Sequence, residues 1–269
     1  MEKETAIRRG VPAGDPADWR LICVMSAEGM CAYLKNVEDP SEEIVTLLSE
    51  QWDAGQTDLL QKIESTVYDN PQLLDDFSAD IAIVTHSLMW VPSHVVDRED
   101  DGGAEIFRSV YPAADEDVMV DEIDGVDCLY MLVPGLQAFL RRTFPGARCS
   151  SHLSITMAGF RERAADMPRV YIDIRRYCVD FVVFDGDRFL AGVSRRWNSQ
   201  SDIKYHLMNL MEIHGLDPAA TQVSLSGLRE VKTSLMKDLR KDIAFVMLTL
   251  LPSVAGTDMP LAAALLLRK

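Results

Sequence analysis

One stretch of the sequence combines an acidic residue with a tight turn. Asp173 stands directly before the first turn of VYIDIRRYCVDFVVFDGDRFLAGVSRRW, which spans residues 170–197 and reads as three short strands. An aspartate at this point of a hairpin is where some folds bind a nucleotide phosphate. The stretch therefore has two interpretations, a phosphate site or a purely structural hairpin.

Residues for other common chemistries are missing or badly spaced. The sequence contains no G-x-S-x-G, H-E-x-x-H or C-x-x-C motif, which argues against a serine hydrolase and a zinc site. The histidines are dispersed, and His206 and His214 lie too far apart on one predicted helix to share a metal. DREDDGGAE, residues 97–105, lacks the alternating oxygen ligands of a calcium loop, and we predict an exposed loop there. We therefore expect no catalytic residue and no metal site.

The bulk composition indicates a folded protein with a large core. Of the 269 residues, 48% are hydrophobic, and the formal net charge at pH 7 is −15. Nucleic acids and anionic membrane surfaces are bound by clustered Lys and Arg, so this charge argues against both as partners. The odd number and wide spacing of the cysteines predict reduced, mostly buried thiols. They are Cys23, Cys31, Cys128, Cys149 and Cys178.

The two ends of the chain favour a cytoplasmic protein. MEKETAIRRGVPAGDPADWR at the start is charged and has no apolar centre, unlike a secretory signal peptide. No segment approaches the roughly 20 apolar residues that span a bilayer. MPLAAALLLRK at the end is about half that length, and we predict a terminal helix that packs on the core.

The first half of the sequence predicts three strands, a helix and a further strand. WRLICVMSAEGMCAYLK, residues 19–35, predicts a hairpin with its turn at residues 26–29. EEIVTLLSEQW, residues 42–52, suits a third strand, although a helix is also consistent with it. Apolar residues at helical spacing in QTDLLQKIESTVY predict a helix, and ADIAIVTHS predicts the last strand.

The second half repeats this order of elements. Apolar and polar residues alternate in VYIDIR, and Asp185-Gly186 supplies the tight turn of a second hairpin. The helix that follows begins with a capping-box pattern, Ser199 with Asp202, and Gly215 suits its C-terminal end. TQVSLSG then predicts the closing strand. The same elements thus recur about 150 residues apart.

We predict two related lobes from this repeat, with limits at residues 19–165 and 166–269 and a flexible N-terminus at residues 1–18. Between the repeated units, DVMVDEIDGVDCLYMLVP predicts two strands, and GLQAFLRRTF and HLSITMAGFRERA predict helices.

The repeated unit of three strands, a helix and a strand resembles the ribonuclease H-like lobes of the superfamily of actin, the sugar kinases and the large heat-shock chaperones. More closely, the chain resembles an uncharacterised bacterial family with an actin-like ATPase fold, of the α/β class. The resemblance rests on LMWVPSHVV, on residues 170–197, on SDIKYHLMNLMEIHGLDP and on VSLSG. In size and lobe pattern the chain is also similar to the pilus-assembly protein PilM and the division protein FtsA, which are scaffolds attached to partner proteins.

The resemblance implies where a nucleotide site would lie. In active members of the superfamily, a phosphate lies between two hairpins, one from each lobe. Glycine admits the backbone amides, a hydroxyl donates a hydrogen bond, and an acidic residue holds Mg²⁺ through water. Ser26, Glu28 and Gly29 match the first hairpin loosely, and Asp173 matches the acidic residue of the second.

The second turn departs from the pattern of the superfamily. Ile174, Arg176 and Tyr177 replace the glycine and the hydroxyl residue, and we expect β-branched Ile174 to block the approach of a phosphate to the backbone. Arg175 and Arg176 could bind an anion through their side chains, but paired arginines at a hairpin tip are more often solvated.

A third contact of the superfamily, with adenosine, is a glycine-containing turn at the end of a strand. SLSG places Ser226 and Gly227 there, but Leu228 stands where a second glycine is usual. The alternative is that Gly227 simply ends a strand before the helix REVKTSLMKDLRK.

These departures favour an intracellular scaffold or adaptor without catalysis, which binds a protein partner and needs no cofactor. The alternative is an enzyme or switch that binds Mg-ATP through Glu28, Asp173 and Gly227. A third hypothesis has Arg175 and Arg176 bind an anion other than a nucleotide. The sequence identifies neither the partner nor the oligomeric state.

Overall fold

The computed structural model describes residues 7–8, 15–39, 43–52, 58–97, 102–112, 117–123, 125–161, 166–251 and 259–268. The chain divides between Ser154 and Ile155 into two compact units. A compact unit need not coincide with one copy of the repeated elements, so the lobe limits at residues 19–165 and 166–269 stay predictions.

The secondary structure of the described residues contains strands and helices in both units. The strands are β1 (Ile7–Arg8), β2 (Trp19–Ser26), β3 (Gly29–Asn36), β4 (Val45–Gln51), β5 (Ser78–Ile83), β6 (Leu88–Pro92), β7 (Val118–Ile123), β8 (Val126–Met131), β9 (Arg148–Ser151), β10 (Arg169–Ile174), β11 (Cys178–Asp185), β12 (Arg188–Arg196), β13 (Gln222–Gly227) and β14 (Phe245–Leu248). The helices are α1 (Leu59–Tyr68), α2 (Gly102–Val110), α3 (Leu136–Thr143), α4 (His152–Arg161), α5 (Gln200–Ile213), α6 (Arg229–Leu239) and α7 (Leu261–Leu266).

The main sheets of the two units have the same strand order. The first sheet runs β1-β4-β3-β2-β5-β9, and the second runs β12-β11-β10-β13-β14. In both, an antiparallel hairpin is followed by two parallel neighbours. Apart from β1, each sheet therefore reads third, second, first, fourth and fifth strand, which confirms the predicted repeat of elements.

In the first unit, the predicted hairpin and third strand are confirmed. Strands β2 and β3 pair from Trp19 with Asn36 to Ser26 with Gly29, and β4 pairs with β3, so the helical alternative for that segment is wrong. Two residues of the N-terminal segment predicted to be flexible, Ile7 and Arg8, pair with β4 as strand β1. The rest of residues 1–14 lies outside the described residues.

A small sheet of order β6-β8-β7 also belongs to the first unit. Its core contains Val91, Val96, Phe107 and Leu129. Phe107 comes from α2, so the predicted exposed loop at residues 97–105 is wrong from Gly102 onward. Glycine is a poor helix former, so the two glycines in the first turn of α2 do not by themselves favour a helix. Here a glycine lets α2 approach the sheet, since a Cβ atom at position 103 would lie 3.2 Å from Val120 Cγ2.

The second sheet packs one face against α5 and α6. Helix α5 begins with the predicted capping box, in which Asp202 accepts hydrogen bonds from the backbone amides of Asn198 and Ser199. The strand residues of this core alternate with residues that face the other side of the sheet. The buried core contains Val170, Ile172, Ile174, Val179, Phe181, Val183, Ile203, Leu207, Leu210, Met211, Leu216, Val223, Leu225, Leu235, Leu239, Ile243 and Val246.

Helix α4 contributes to the opposite face of the second sheet. The Phe160 ring stacks on the Tyr171 ring of β10 with centroids 3.7 Å apart. All residues of α7 are buried, and Leu265 packs against Gly159 of α4. The C-terminal apolar run is thus a core helix, as predicted.

The five cysteines form no disulfide bond with one another, and those at positions 23, 128 and 178 are buried. Within the described part of the chain, no helix is long and apolar enough to cross a membrane. The same residues contain no group of three or more His, Cys, Asp or Glu side chains that could hold a metal ion.

Candidate functional site

The turn between β10 and β11 is short and closed by its own backbone. The amide of Arg175 donates to the carbonyl of Cys178 at 2.8 Å, which leaves Arg176 and Tyr177 at the tip. Both tip residues are exposed, and the Arg176 guanidinium lies 5.3 Å from the centroid of the Tyr177 ring. A turn of this kind has no glycine-lined concavity in which backbone amides converge on an anion.

Arg175 folds back from the turn onto Asp180 of β11. Its Nε and Nη2 atoms donate to the two carboxylate oxygens at 2.8 and 2.9 Å, and Nη2 also donates to the Ser194 hydroxyl at 3.2 Å. The side chains of Arg175 and Asp180 are only 15% and 4% exposed. The expected solvated pair of arginines is therefore wrong for Arg175, because a carboxylate on the neighbouring strand lies within its reach.

Trp197 holds the backbone of the same turn from the end of β12. Its indole Nε1 donates to the carbonyl of Arg175 at 3.0 Å, and its amide donates to the carbonyl of Tyr177 at 3.3 Å. The sequence analysis missed this role. The available signal was an aromatic residue with an N–H donor directly after a strand predicted to pair beside the turn.

Asp173 lies at the end of β10, buried and 7% exposed. In the parallel register it stands opposite Ser226 of β13, whose hydroxyl lies 2.8 Å from Asp173 Oδ1 and 3.0 Å from the carbonyl of Ile172. The two acceptors share the single hydroxyl proton. Asp173 also stands opposite Asp180 in the antiparallel register with β11, so both carboxylates lie on the same face of the sheet.

The side chain of Ile174 lies in the core rather than at the turn. It is 1% exposed and belongs to the cluster formed with α5 and α6. The predicted obstruction of a phosphate by this side chain is therefore wrong in its geometry. Strand alternation explains the result, because Ile174 shares its face with Ile172 and not with Asp173.

Gly227 is required by the packing of β13 on β10. Its φ is +86°, and a Cβ atom at this position would lie 2.1 Å from the carbonyl oxygen of Ile174. The next amide, that of Leu228, donates to the same carbonyl at 2.9 Å. The close approach of two strands thus accounts for this glycine without a ligand.

The first-unit turn is held by the Ser26 hydroxyl within the turn and by a backbone bond from the residue after β4. The Ser26 hydroxyl donates to the carbonyl of Gly29 at 2.9 Å and accepts from the amide of Glu28 at 3.1 Å. The amide of Trp52 donates to the carbonyl of Glu28 at 2.9 Å. A Cβ atom on Gly29 would lie 2.2 Å from the carbonyl oxygen of Glu50, so β4 leaves room only for glycine.

The structure thus brings the predicted site residues together in two groups, one in each unit. Ser26, Glu28 and Gly29 form the first turn. The second group, at one end of the second sheet, contains Asp173, Arg175, Arg176, Ser226 and Gly227. The second group is organised by buried hydrogen bonds and an ion pair within its own unit.

A further polar cluster, not found from the sequence, surrounds Asp121 in the first unit. Asp121 Oδ2 accepts from the amide of Ser151 at 2.7 Å, and the Ser151 hydroxyl lies 2.7 Å from that of Ser154. Burial raises the pKa of the Asp121 carboxyl to about 6, although the surrounding hydrogen bonds act in the opposite direction. The Ser151 hydroxyl also contacts the Cys128 thiol, and burial raises the pKa of this thiol to about 12, which disfavours its thiolate form.

This cluster covers the outer edge of β9. Besides the bond from Ser151 to Asp121, the Tyr130 hydroxyl donates to the carbonyl of Cys149 at 3.4 Å. Both backbone groups belong to alternate residues that face away from β5. Side chains of the small sheet therefore satisfy an edge that no neighbouring strand pairs with among the described residues.

The fold has close counterparts among solved structures. A protein of unknown function with an actin-like ATPase fold from Bacteroides thetaiotaomicron matches with a TM-score of 0.81 and 17% identity, over 94% of this chain and 97% of that chain. A chain of the PilM–PilN type IV pilus biogenesis complex matches with a TM-score of 0.53 and 11% identity, over 86% of this chain and 88% of that chain. At these identities the likeness shows the fold alone, and it is the actin-like fold that the sequence predicted.

Sequence comparison identifies a family for most of the chain. No curated protein matches the sequence. Residues 36–245 match the model of a protein family of unknown function, DUF3822. This chain is therefore a member of the DUF3822 family, with an actin-like fold.

Proposed function

We propose that this protein is a non-catalytic scaffold or adaptor of actin-like fold that acts inside the cell and binds another protein. The acidic net charge of −15 favours a protein partner over a nucleic acid. The PilM–PilN complex, which contains a chain of similar fold, pairs two proteins in one assembly. That likeness is an analogy of fold and carries no partner over to this chain.

The observation that carries the proposal is the way Arg175 is used. The guanidinium next to the second turn donates to Asp180 and Ser194, and the carbonyls of the turn accept from Trp197. A phosphate needs convergent donors that are not already engaged. The Arg175 guanidinium and the carbonyls of Arg175 and Tyr177 are bonded within the unit, which supports a turn that does not bind an ATP phosphate.

The alternative function, a nucleotide-binding enzyme or switch, keeps one favourable observation. Asp173 retains a carboxylate at the end of β10, in contact with the Ser226 hydroxyl. The Ser226 hydroxyl donates to Asp173 Oδ1, and losing this buried hydrogen bond to a competing ligand would cost about 1–3 kcal/mol. The scaffold proposal therefore predicts that Mg-ATP does not bind.

Isothermal titration calorimetry and thermal unfolding of the full chain with Mg-ATP test this prediction. We expect no saturable heat and no change in the melting temperature, since only a ligand that binds the native state stabilises it. Asp173→Asn keeps the size and an acceptor for Ser226, and we expect its titration to match that of the unchanged protein. Asp185→Asn, at an exposed carboxylate, is the matched control.

A micromolar affinity for Mg-ATP that is lost in Asp173→Asn and kept in Asp185→Asn would establish the nucleotide function instead. Saturable binding of Mg-ATP that both variants retain would also overturn the scaffold proposal, and it would place the nucleotide away from Asp173.

A further inference from the structure

The outer edge of the second sheet is unusually apolar. Strand β14 ends the sheet, and no other strand of the described residues pairs with its outer side. Four large apolar side chains lie on or next to this strand and are exposed. They are Phe245 (47%), Met247 (42%), Leu248 (41%) and Leu250 (86%). An exposed apolar edge strand is a template for pairing with another strand.

The backbone register shows which groups point outward. The amide of Thr249 donates to the carbonyl of Leu225 in β13 at 2.9 Å, so Thr249 faces inward. In a parallel pair, alternate residues direct both their N–H and their C=O groups to the same neighbour. Val246, Leu248 and Leu250 therefore direct these groups away from β13.

Arg240 reaches part of this edge. Its Nη2 and Nε atoms donate to the carbonyl of Val246 at 3.0 and 3.3 Å, which agrees with the outward direction of that group. A guanidinium on one carbonyl covers one acceptor of the edge. The backbone groups of Leu248 and Leu250 lie beyond this contact along the strand.

The strand itself lacks the charges that usually prevent strand pairing, although the Arg240 guanidinium contacts its edge at Val246. Residues 244–251, AFVMLTLL, contain no charged residue, in a chain with a net charge of −15. The opposite edge of the same sheet, β12, contains Arg188, Arg195 and Arg196, all exposed. Two copies of an acidic protein repel each other in most orientations. When one β14 meets a second β14, neither strand brings a charged side chain of its own to the contact.

The equivalent edge in the first unit is treated differently. Strand β9 occupies the same place in the sheet order, and its outward groups are bonded to Asp121 and Tyr130. Because the fold covers β9 with side chains and leaves the uncharged, apolar strand β14 open beyond Arg240, the second edge is the one suited to pairing.

We propose that β14 is a self-association edge, at which a second copy of this chain adds its own β14 in antiparallel orientation. A two-fold axis at Leu248 pairs this residue with its counterpart in the second copy and pairs Val246 with Leu250. The contact is the same on both copies, so it closes as a dimer. A single pair of strands buries less than the roughly 1,200 Å² of standard interfaces, so the association is weak and depends on concentration.

Sedimentation analysis of the full chain over a concentration series tests the proposal. We expect a shift from monomer to dimer as the concentration rises. Leu248→Lys puts a charge at the axis, and Leu248→Pro removes an outward N–H without removing a bond to β13, so both variants should stay monomeric. Ile213→Lys is the matched control, because Ile213 is 66% exposed on α5 and should leave the dimer unchanged.

Arg240→Ala gives a second, opposite test. The variant releases the carbonyl of Val246, which the amide of Leu250 in the second copy would use. We expect the dimer of Arg240→Ala to form at a several-fold lower concentration than that of the unchanged protein. An unchanged or weaker dimer would contradict the predicted hydrogen-bond register.

Hydrogen exchange of the unchanged protein avoids variants that fail to fold. The amides of Val246, Leu248 and Leu250 should exchange more slowly at high than at low concentration, while that of Met247 stays constant. A monomer at every concentration would overturn the proposal, as would a dimer that forms without protection of these amides or survives in both Leu248 variants. None of these outcomes depends on whether the chain binds Mg-ATP.

Discussion

The two units share a strand order but satisfy their polar groups differently at two equivalent places. In both turns an amide that follows the third strand donates to a carbonyl of the turn, Trp52 to Glu28 and Trp197 to Tyr177. Beyond that bond, the first turn is held by the Ser26 hydroxyl, whereas the second also has the Arg175–Asp180 pair and the Trp197 indole. At the sheet edges the first unit has more side-chain contacts, since side chains cover β9 whereas β14 is open beyond Arg240. The repeated order thus determines where a turn or an edge lies, and the side chains decide what chemistry remains there.

The largest expected effect is at the glycines that each unit needs. Gly227→Ala should lower the free energy of unfolding by about 4 kcal/mol or more, because the added methyl meets the carbonyl of Ile174 and φ is +86°. Gly29→Ala meets the carbonyl of Glu50, and its φ of +158° lies closer to the extended region than the +86° of Gly227, so it should cost less. Urea unfolding measures both. An equal or smaller loss for Gly227→Ala would show that β10 yields easily.

The ion pair of the second turn gives the next largest effect. Asp180→Ala leaves the Arg175 guanidinium largely buried without its carboxylate, and we expect a loss of about 3 kcal/mol in the free energy of unfolding. Arg175→Ala combined with Asp180→Ala should cost less than the sum of the two single changes, because the pair acts as a unit. Additive losses in this double-mutant cycle would contradict the coupling.

The covered edge of the first unit predicts a pH dependence. Burial raises the pKa of Asp121 from its ordinary value of 3.8 to about 6 in the folded protein, so its contribution to stability is fully present below about pH 4 and is lost as the pH rises through about 6. Asp121→Asn should remove this decrease. Urea midpoints of both proteins between pH 4 and pH 7 measure the difference, and identical pH profiles would contradict the raised pKa.

The smallest effect tests the local character of the first turn. Ser26→Ala removes one hydroxyl that donates to Gly29 and accepts from Glu28, at a cost of about 1 kcal/mol. In urea unfolding, Ser26→Ala should lower the midpoint less than Asp180→Ala does. A larger loss for Ser26→Ala would reverse the comparison between the two turns.

Much of the fold could be read from local patterns. Apolar runs on either side of a turn predicted the first hairpin, and alternation with Asp185-Gly186 predicted the second. The capping box at Ser199 and the apolar C-terminal run predicted α5 and α7. Helix α2 was missed because its first turn contains two glycines, whose low helix propensity is overcome by packing on the small sheet. Local patterns succeed where propensity and burial agree.

The candidate site was predictable in its residues but not in its contacts. Asp173, Ser226 and Gly227 were singled out at strand ends, and the register places Asp173 beside Ser226. The contacts of Arg175 with Asp180 and of Trp197 with the turn depend on which strands pair and in what register. Asp121 and Ser151 lie 30 positions apart in the sequence and meet only because the small sheet packs beside β9.

The sequence by itself determined the repeated element order, the positions of the hairpin turns and the acidic charge of the surface, because each depends on residue types and short spacings. Only the tertiary structure decided that Ile174 faces the core, that Arg175 is paired and that β9 is covered while β14 is exposed. The physical reason is that hydrogen bonds, ion pairs and burial depend on distances between residues far apart in the chain.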